Sequence, residues 1–363
     1  MPAFEAARLR HMSAVTDHAT LPLEDLHVTR GVVVGEERGC SLPLHYGDPR
    51  AEVEAATVGC AMVDLSWADR LELRGADRAR LVNGLFSADI EPLEAGCGRY
   101  GFFTDGEGRV LADAYISVLE DRLWLQLPAG RAPEMKEHIE HYRVIDDVDV
   151  TLLHDMLDVA VVGARAAEVL GEMCELPDTD RLVRTRLAGT EIQVLRRLVH
   201  GVEALVLWLP AAIAEPILEQ LLARHELTLA GWAALETLRC RAGVARWGVD
   251  YDDRSVANET ALLDEAVDFT KGCYLGQEIV ARIFYRGKPA RECRPLEIRS
   301  DAPPGAGLLT AEGKEIGKVT SVAPTTSGEV WAAVGTLSRS ALDSEATAEW
   351  SLSGAPTHLR AAS

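Results

Sequence analysis

The densest set of chemically equipped side chains in the chain is the run Phe269-Thr270-Lys271-Gly272-Cys273-Tyr274-Leu275-Gly276-Gln277-Glu278. Glycine reaches backbone angles that other residues adopt only at a cost, so Gly272 and Gly276 predict a tight turn that lets the main chain approach something closely. A cation, a thiol, a phenol, a carboxamide and a carboxylate stand within that turn. One reading is a surface turn whose polar residues cap the next element; the other is a ligand-facing loop. Cys273 has the same two faces. A lone cysteine is more often a small buried hydrophobe than a nucleophile, but Lys271 nearby would lower its pKa and a turn would leave it accessible. No histidine lies close in sequence to serve as its base, which points to a reactive or cluster-facing thiol rather than a hydrolytic one.

A second candidate is Asp113. Gly98–Ser117 reads as a hairpin with Asp105-Gly106 at its turn, Tyr100–Phe103 entering and Val110–Val118 leaving. Asp113 sits among Leu111, Ala112, Ala114 and Tyr115. On the alternation of a strand alone, its carboxylate belongs on the solvated face.

The elements around these residues are those of an α+β protein. At 363 residues the chain is long for one core and suggests two or three domains. Helices are expected over Ala51–Val58, Ala76–Phe86, Arg131–Tyr142, Ala164–Glu172, Pro210–His225 and Gly231–Gly243, several ending on glycine. Strand patterns fall around Leu71–Leu73, at 121–127, over Tyr142–Val150 and Val159–Gly163, and at Thr190–Val199 and Glu203–Leu209. After Arg291, short extended pieces parted by Pro, Gly and Ser suggest a small C-terminal β-barrel. The domain reading is an N-terminal arm at 1–35, a first domain at 36–150 plus 240–290, an α+β domain at 151–239, and the barrel at 291–363.

Charge and cysteine usage narrow the partners. A net charge of -20 argues against direct nucleic-acid binding, which runs on clustered Lys and Arg. Arg282, Arg286, Lys288 and Arg291 could still form a local pocket for a small anion. The seven cysteines include no Cys-x-x-Cys pair and no Cys/His cluster with zinc spacing, so no metal site is expected. They fit a reducing compartment. The N-terminus lacks an apolar segment after its charges, and no apolar run approaches the roughly 20 residues that span a bilayer. The expectation is a cytoplasmic protein without a membrane partner.

The run Lys-Gly-Cys-Tyr-x-Gly-Gln-Glu at 271–278 resembles the signature of the YgfZ family of folate-binding proteins, themselves similar to the aminomethyltransferase of the glycine cleavage system. Weaker echoes lie at Asp64-Leu65-Ser66, 98–113, 238–243 and 315–321. The resemblance implies a three-part body around a central cavity holding tetrahydrofolate or a derivative. It places Asp113 against the pterin, where the transferases carry Asp-Asp and this chain has Ala112-Asp113. It also makes Lys271, Gly272, Tyr274, Gly276, Gln277 and Glu278 candidates for the folate site, with Cys273 as the catalytic residue. Glu203, in His200-Gly-Val-Glu203, is the candidate for the transferases' second-domain glutamate, with a longer spacing to Pro210. The transferases' arginine early in the Leu-Arg helix corresponds to Leu235. These departures favour a tetrahydrofolate-binding factor in assembly or repair of iron–sulfur enzymes, with those enzymes or cluster assembly proteins as partners. The alternative is a tetrahydrofolate-dependent aminomethyltransferase or methyltransferase.

Overall fold

The computed structural model describes residues 21, 23–298, 303–310, 313–325, 331–343, 350–352 and 355–359. A five-stranded sheet runs in the order Gly98–Thr104, Val110–Val118, Arg122–Leu127, Asp69–Arg74, Asp149–Leu152. Its hairpin turn is fixed by the Asp105 carboxylate, which accepts from the backbone N–H of Glu107 and of Arg109, each at 2.9 Å. The register sets Phe102 opposite Asp113 and Phe103 opposite Ala112. Side chains of paired residues share a face, so the hairpin sorts cleanly. Phe103, Ala112, Ala114 and Ile116 enter a core with the helix Ala132–Tyr142. Tyr100, Phe102, Asp113 and Tyr115 face the other way. That face is covered by the rest of the body, and Asp113 is only 5% exposed, which corrects the solvated placement expected from alternation alone.

The second sheet has six strands, in the order Arg181–Leu187, Thr190–Val199, Val202–Pro210, Met156–Val162, Cys60–Asp64, Leu227–Ala230. Only the last pair is parallel. Its central strands are apolar on both faces because both are covered. Val159 and Val161 pack with the helices Ala166–Gly171 and Ala211–Leu222, while Ala160 and Val162 pack toward Trp232–Ala242 and Pro49–Val58. Trp232–Ala242 stops at Gly243, whose φ of 76° is left-handed, the usual glycine cap.

The last six strands run Arg291–Ile298, Trp331–Ser338, Glu315–Pro324, Gly307–Thr310, Trp350–Leu352, Ala355–Leu359, and the final one pairs back to the first to close a barrel. Of the stretch expected as a loose arm, residues 1–20 and 22 lie outside the described residues. The helix Glu24–Val28 is firmly held. Its buried His27 bonds Asp64 Oδ2 at 2.9 Å and the Tyr46 hydroxyl at 2.7 Å. Residues 143–148 are not the strand that their alternation suggests. They form a loop pinned by Asp146 on Arg80 and Asp147 on the N–H of Ala76. Among the described residues no helix is long and apolar enough to cross a membrane.

Candidate functional site

Asp113 points from the first sheet toward the connection at 244–251 that follows the Trp232–Ala242 helix. Its Oδ2 accepts from the hydroxyl of Tyr100 at 2.8 Å and from that of Tyr251 at 3.3 Å, and the two phenol oxygens are 3.4 Å apart. Tyr100 comes from the facing strand of the hairpin. Tyr251 comes from 138 residues further along and closes the turn that follows the Trp232–Ala242 helix. Burial is the largest influence on the Asp113 carboxyl and raises its pKa, against the pull of the two phenols and of Arg246. Phe102 stands edge-on to both tyrosines, with ring centres 5.9 and 6.2 Å away. Nearby, Trp247 is sandwiched between the guanidiniums of Arg38 and Arg131, 4.5 and 4.7 Å from its ring centre, and donates to the Val110 carbonyl.

A buried ion-pair chain borders this region. Arg246 pairs with Glu37 and, at 3.4 Å, with Glu236. Arg239, fully buried, reaches Glu236, Asp250, the Val244 carbonyl and the Ser321 hydroxyl. Each of its N–H groups finds an acceptor, which a buried guanidinium requires. Glu236 keeps 24% of its side chain accessible, yet desolvation is the largest influence on it. Arg239 and Arg246 outweigh that and hold its pKa at about 2. His200, at the tip of a strand pair with its ring edge-on to Trp232, is pushed down to about 3 by burial and then by the same two arginines, so it is neutral at physiological pH. Arg197 lies 4.8 Å over the Tyr115 ring, and its buried Nε has no hydrogen-bond partner among the described residues.

The signature run forms a turn with split roles. Gly276 has φ 84°, and a Cβ there would stand 2.3 Å from the Asp105 carbonyl, so only glycine lets this turn press on the hairpin tip. Gly272 has no such need: a Cβ there meets nothing within 4 Å. The Lys271 ammonium points inward and donates to the carbonyls of Asn83, Phe86 and Ala88 and to Asn83 Oδ1, at 2.7 to 3.0 Å. Burial pushes its pKa down to about 8. Its charge is therefore engaged on the end of the helix Arg78–Asn83 rather than turned to the Cys273 thiol. Tyr274 is buried in one cluster with Phe102, Trp247 and Tyr251, and its hydroxyl has no partner among the described residues. Cys273 is exposed. Gln277 opens the helix Gln277–Arg286, and Glu278 is 82% exposed and paired with Arg282. The expected anion pocket is internally neutralised in part: Lys288 pairs with Asp343 and Arg291 with Glu259. Glu203 is 60% exposed and paired with Arg196 on the neighbouring strand.

The turn borders a surface depression of about 300 Å³ lined by Asn83, Asp89, Glu91, Pro92 and Gly272. Its acidic walls disfavour an anionic ligand. Among the described residues, no group of three or more His, Cys, Asp or Glu side chains is placed to hold a metal ion.

The structure thus joins Asp113 and Tyr274 to one buried region and leaves Cys273, Glu278 and Glu203 at the surface. It also adds Tyr100, Tyr251 and Arg246, which the sequence reading missed. Tyr100 was within reach: counting back from the Asp105-Gly106 turn puts it on the Asp113 face. Tyr251 carried no local signal.

Comparison with known proteins agrees with this architecture. The chain is 26% identical to human mitochondrial aminomethyltransferase over 347 residues, covering 90% of this chain and 85% of the relative. It is 28% identical to the chicken mitochondrial aminomethyltransferase over 344 residues, covering 88% and 85%. The structure is similar to that of the glycine cleavage system aminomethyltransferase T from Bartonella henselae, with a TM-score of 0.84 at 23% identity, over 94% of this chain and 96% of that one. The family model for the GCVT N-terminal domain matches residues 23–271, well over half the chain, and the chain belongs to that family.

Proposed function

We propose that this protein binds tetrahydrofolate or a derivative beside Asp113 and acts on its one-carbon unit as an aminomethyltransferase or methyltransferase. The observation that carries this reading is the buried carboxylate of Asp113, oriented by two phenols on an aromatic-walled face. A pterin is planar with amide-like edges, so it needs such an acceptor between apolar walls. Arg197, whose buried Nε has no partner among the described residues, offers a cation for the anionic folate tail. The names borne by the relatives favour the same chemistry. Tetrahydrofolate supplies the carrier for the one-carbon unit. The protein's part is to hold the pterin, orient it and shield it from water.

Calorimetric titration of the purified protein with tetrahydrofolate, and an assay for methylenetetrahydrofolate with an aminomethylated lipoyl carrier, test this. Binding that Asp113→Asn abolishes is expected. Equal binding by that variant, or no binding at all, refutes it.

A second reading rests on Cys273. Its exposure, within a run resembling the YgfZ signature, supports a folate-dependent accessory role toward iron–sulfur enzymes, the thiol facing the partner. Cys273→Ser is then expected to keep fold and folate binding while failing to restore iron–sulfur enzyme activity in a deletion strain. Full restoration would remove the thiol from the function.

A further inference from the structure

We propose that Tyr251 is the positioning residue of Asp113, and that the C-terminal barrel sets its place by gripping the adjacent Asp250. This rests on the reading of Asp113 as the pterin-facing acceptor. Both phenols meet the same oxygen, Oδ2, and neither meets Oδ1. Two donors on one oxygen fix the rotation of the carboxylate, so a ligand N–H approaching Oδ1 meets it in a single orientation. They also stabilise the ionised form.

Tyr251 itself has little freedom. Gly248 N–H donates to its carbonyl at 2.7 Å, closing the 248–251 turn, and its side chain is 4% exposed. The next residue back is held from three barrel strands. Asp250 Oδ1 accepts from Thr320 at 2.5 Å and from Ser321 at 2.7 Å, both on Glu315–Pro324. Its carbonyl accepts from the Cys293 thiol on Arg291–Ile298 and from Thr336 on Trp331–Ser338. Asp250 Oδ2 takes Arg239 and the N–H of Arg246. The barrel therefore acts on Asp113 through one turn of chain. The groups facing the carboxyl are Tyr100 from the hairpin and Tyr251 and Arg246 from the connection. Glu265, from Leu263–Ala266, acts on Tyr100. Cys293, from the barrel, acts on Tyr251, and Arg197, from Thr190–Val199, is coupled to Tyr100.

Two measurements on the full chain test this. Tetrahydrofolate affinity is followed by calorimetry from pH 5 to 9 in wild type, Tyr251→Phe, Tyr100→Phe and Thr320→Val. The Asp113 carboxyl is titrated without ligand by infrared difference against Asp113→Asn. Tyr251→Phe fills the same space, and its retained fold is checked by thermal melting. Loss of one hydrogen bond to a charged group should weaken binding by about 10-fold. The ligand-free carboxyl titration should move to higher pH, and the acid limb of binding with it. Thr320→Val should move both readouts the same way by less. If Tyr251→Phe leaves the carboxyl titration in place, the positioning role is overturned whatever happens to binding; if Thr320→Val leaves it in place, the barrel's share is overturned. Wild type that fails to bind tetrahydrofolate, while Tyr251→Phe still shifts the titration, overturns the folate reading alone.

Discussion

Replacing Lys271 with methionine separates a structural lysine from a ligand-binding one. The side chain is 8% exposed, and its ammonium meets four oxygens, three of them main-chain carbonyls at the end of Arg78–Asn83 and in the following turn. Methionine keeps the length and the apolar stem but leaves those acceptors empty. An abandoned buried acceptor costs about 1–3 kcal/mol. The depression that Asn83 and Gly272 share lets water reach part of the set, so the low end of that range applies. Three carbonyls at about 1 kcal/mol each give a loss of about 3 kcal/mol. Urea unfolding followed by tryptophan fluorescence measures it as a fall in midpoint at unchanged slope. Tetrahydrofolate affinity, measured where the variant is fully folded, should stay within about twofold of wild type, since such a difference is well under 1 kcal/mol. Stability within about 0.5 kcal/mol of wild type together with lost binding would refute the structural assignment and return Lys271 to the ligand site.

Three further outcomes follow from the same geometry. Gly276→Ala forces a Cβ against the Asp105 carbonyl at a left-handed φ; a loss of roughly 3 kcal/mol is expected from conformation and clash together, and a neutral result in urea melts would show that the turn can shift. Arg239→Met removes the counter-charge of Asp250 and Glu236 and should cost about 3–5 kcal/mol; the stability that Glu236 contributes, present above its ordinary pKa and lost as pH falls toward about 2, should then start to fail at higher pH. Asp113 has the opposite sign: its raised pKa means that the folded state binds the proton more tightly, so its contribution is fully present below the ordinary carboxylate range and lost as pH rises through the folded value. Asp113→Asn should therefore gain melting temperature relative to wild type at pH 8 compared with pH 4, and an equal loss at both would contradict burial as the dominant cause.

Much of the scaffold was legible because local chemistry fixes it. Asp105-Gly106 dictates the hairpin, Gly243 ends the Trp232–Ala242 helix, and the strand expected over Thr190–Val199 has those bounds. The strand Cys60–Asp64 was passed over because both its faces are buried, which erases alternation. The helix after Gly276 starts directly out of the glycine turn, whose signal masks its beginning, although Ile279, Val280 and Ile283 carry helical spacing. The expected helix over Ala76–Phe86 ends at Asn83, where the lysine from 188 positions away takes its terminal carbonyl. The site was readable only in part for the same reason. Asp113 could be named, but the direction of its face depends on what packs there, and Tyr251 reaches it from 138 residues further along the chain.

The family boundary near residue 271 is not a place where the protein can be divided. Cutting there would remove Thr320, Ser321 and Thr336, stripping Asp250 of its hydroxyl partners, and would take Cys293 and Val334 out of the cluster that holds Phe102 and Tyr251. A shortened fragment would expose apolar surface and an ionic chain built to stay dry, so expression work on this protein should carry the barrel along.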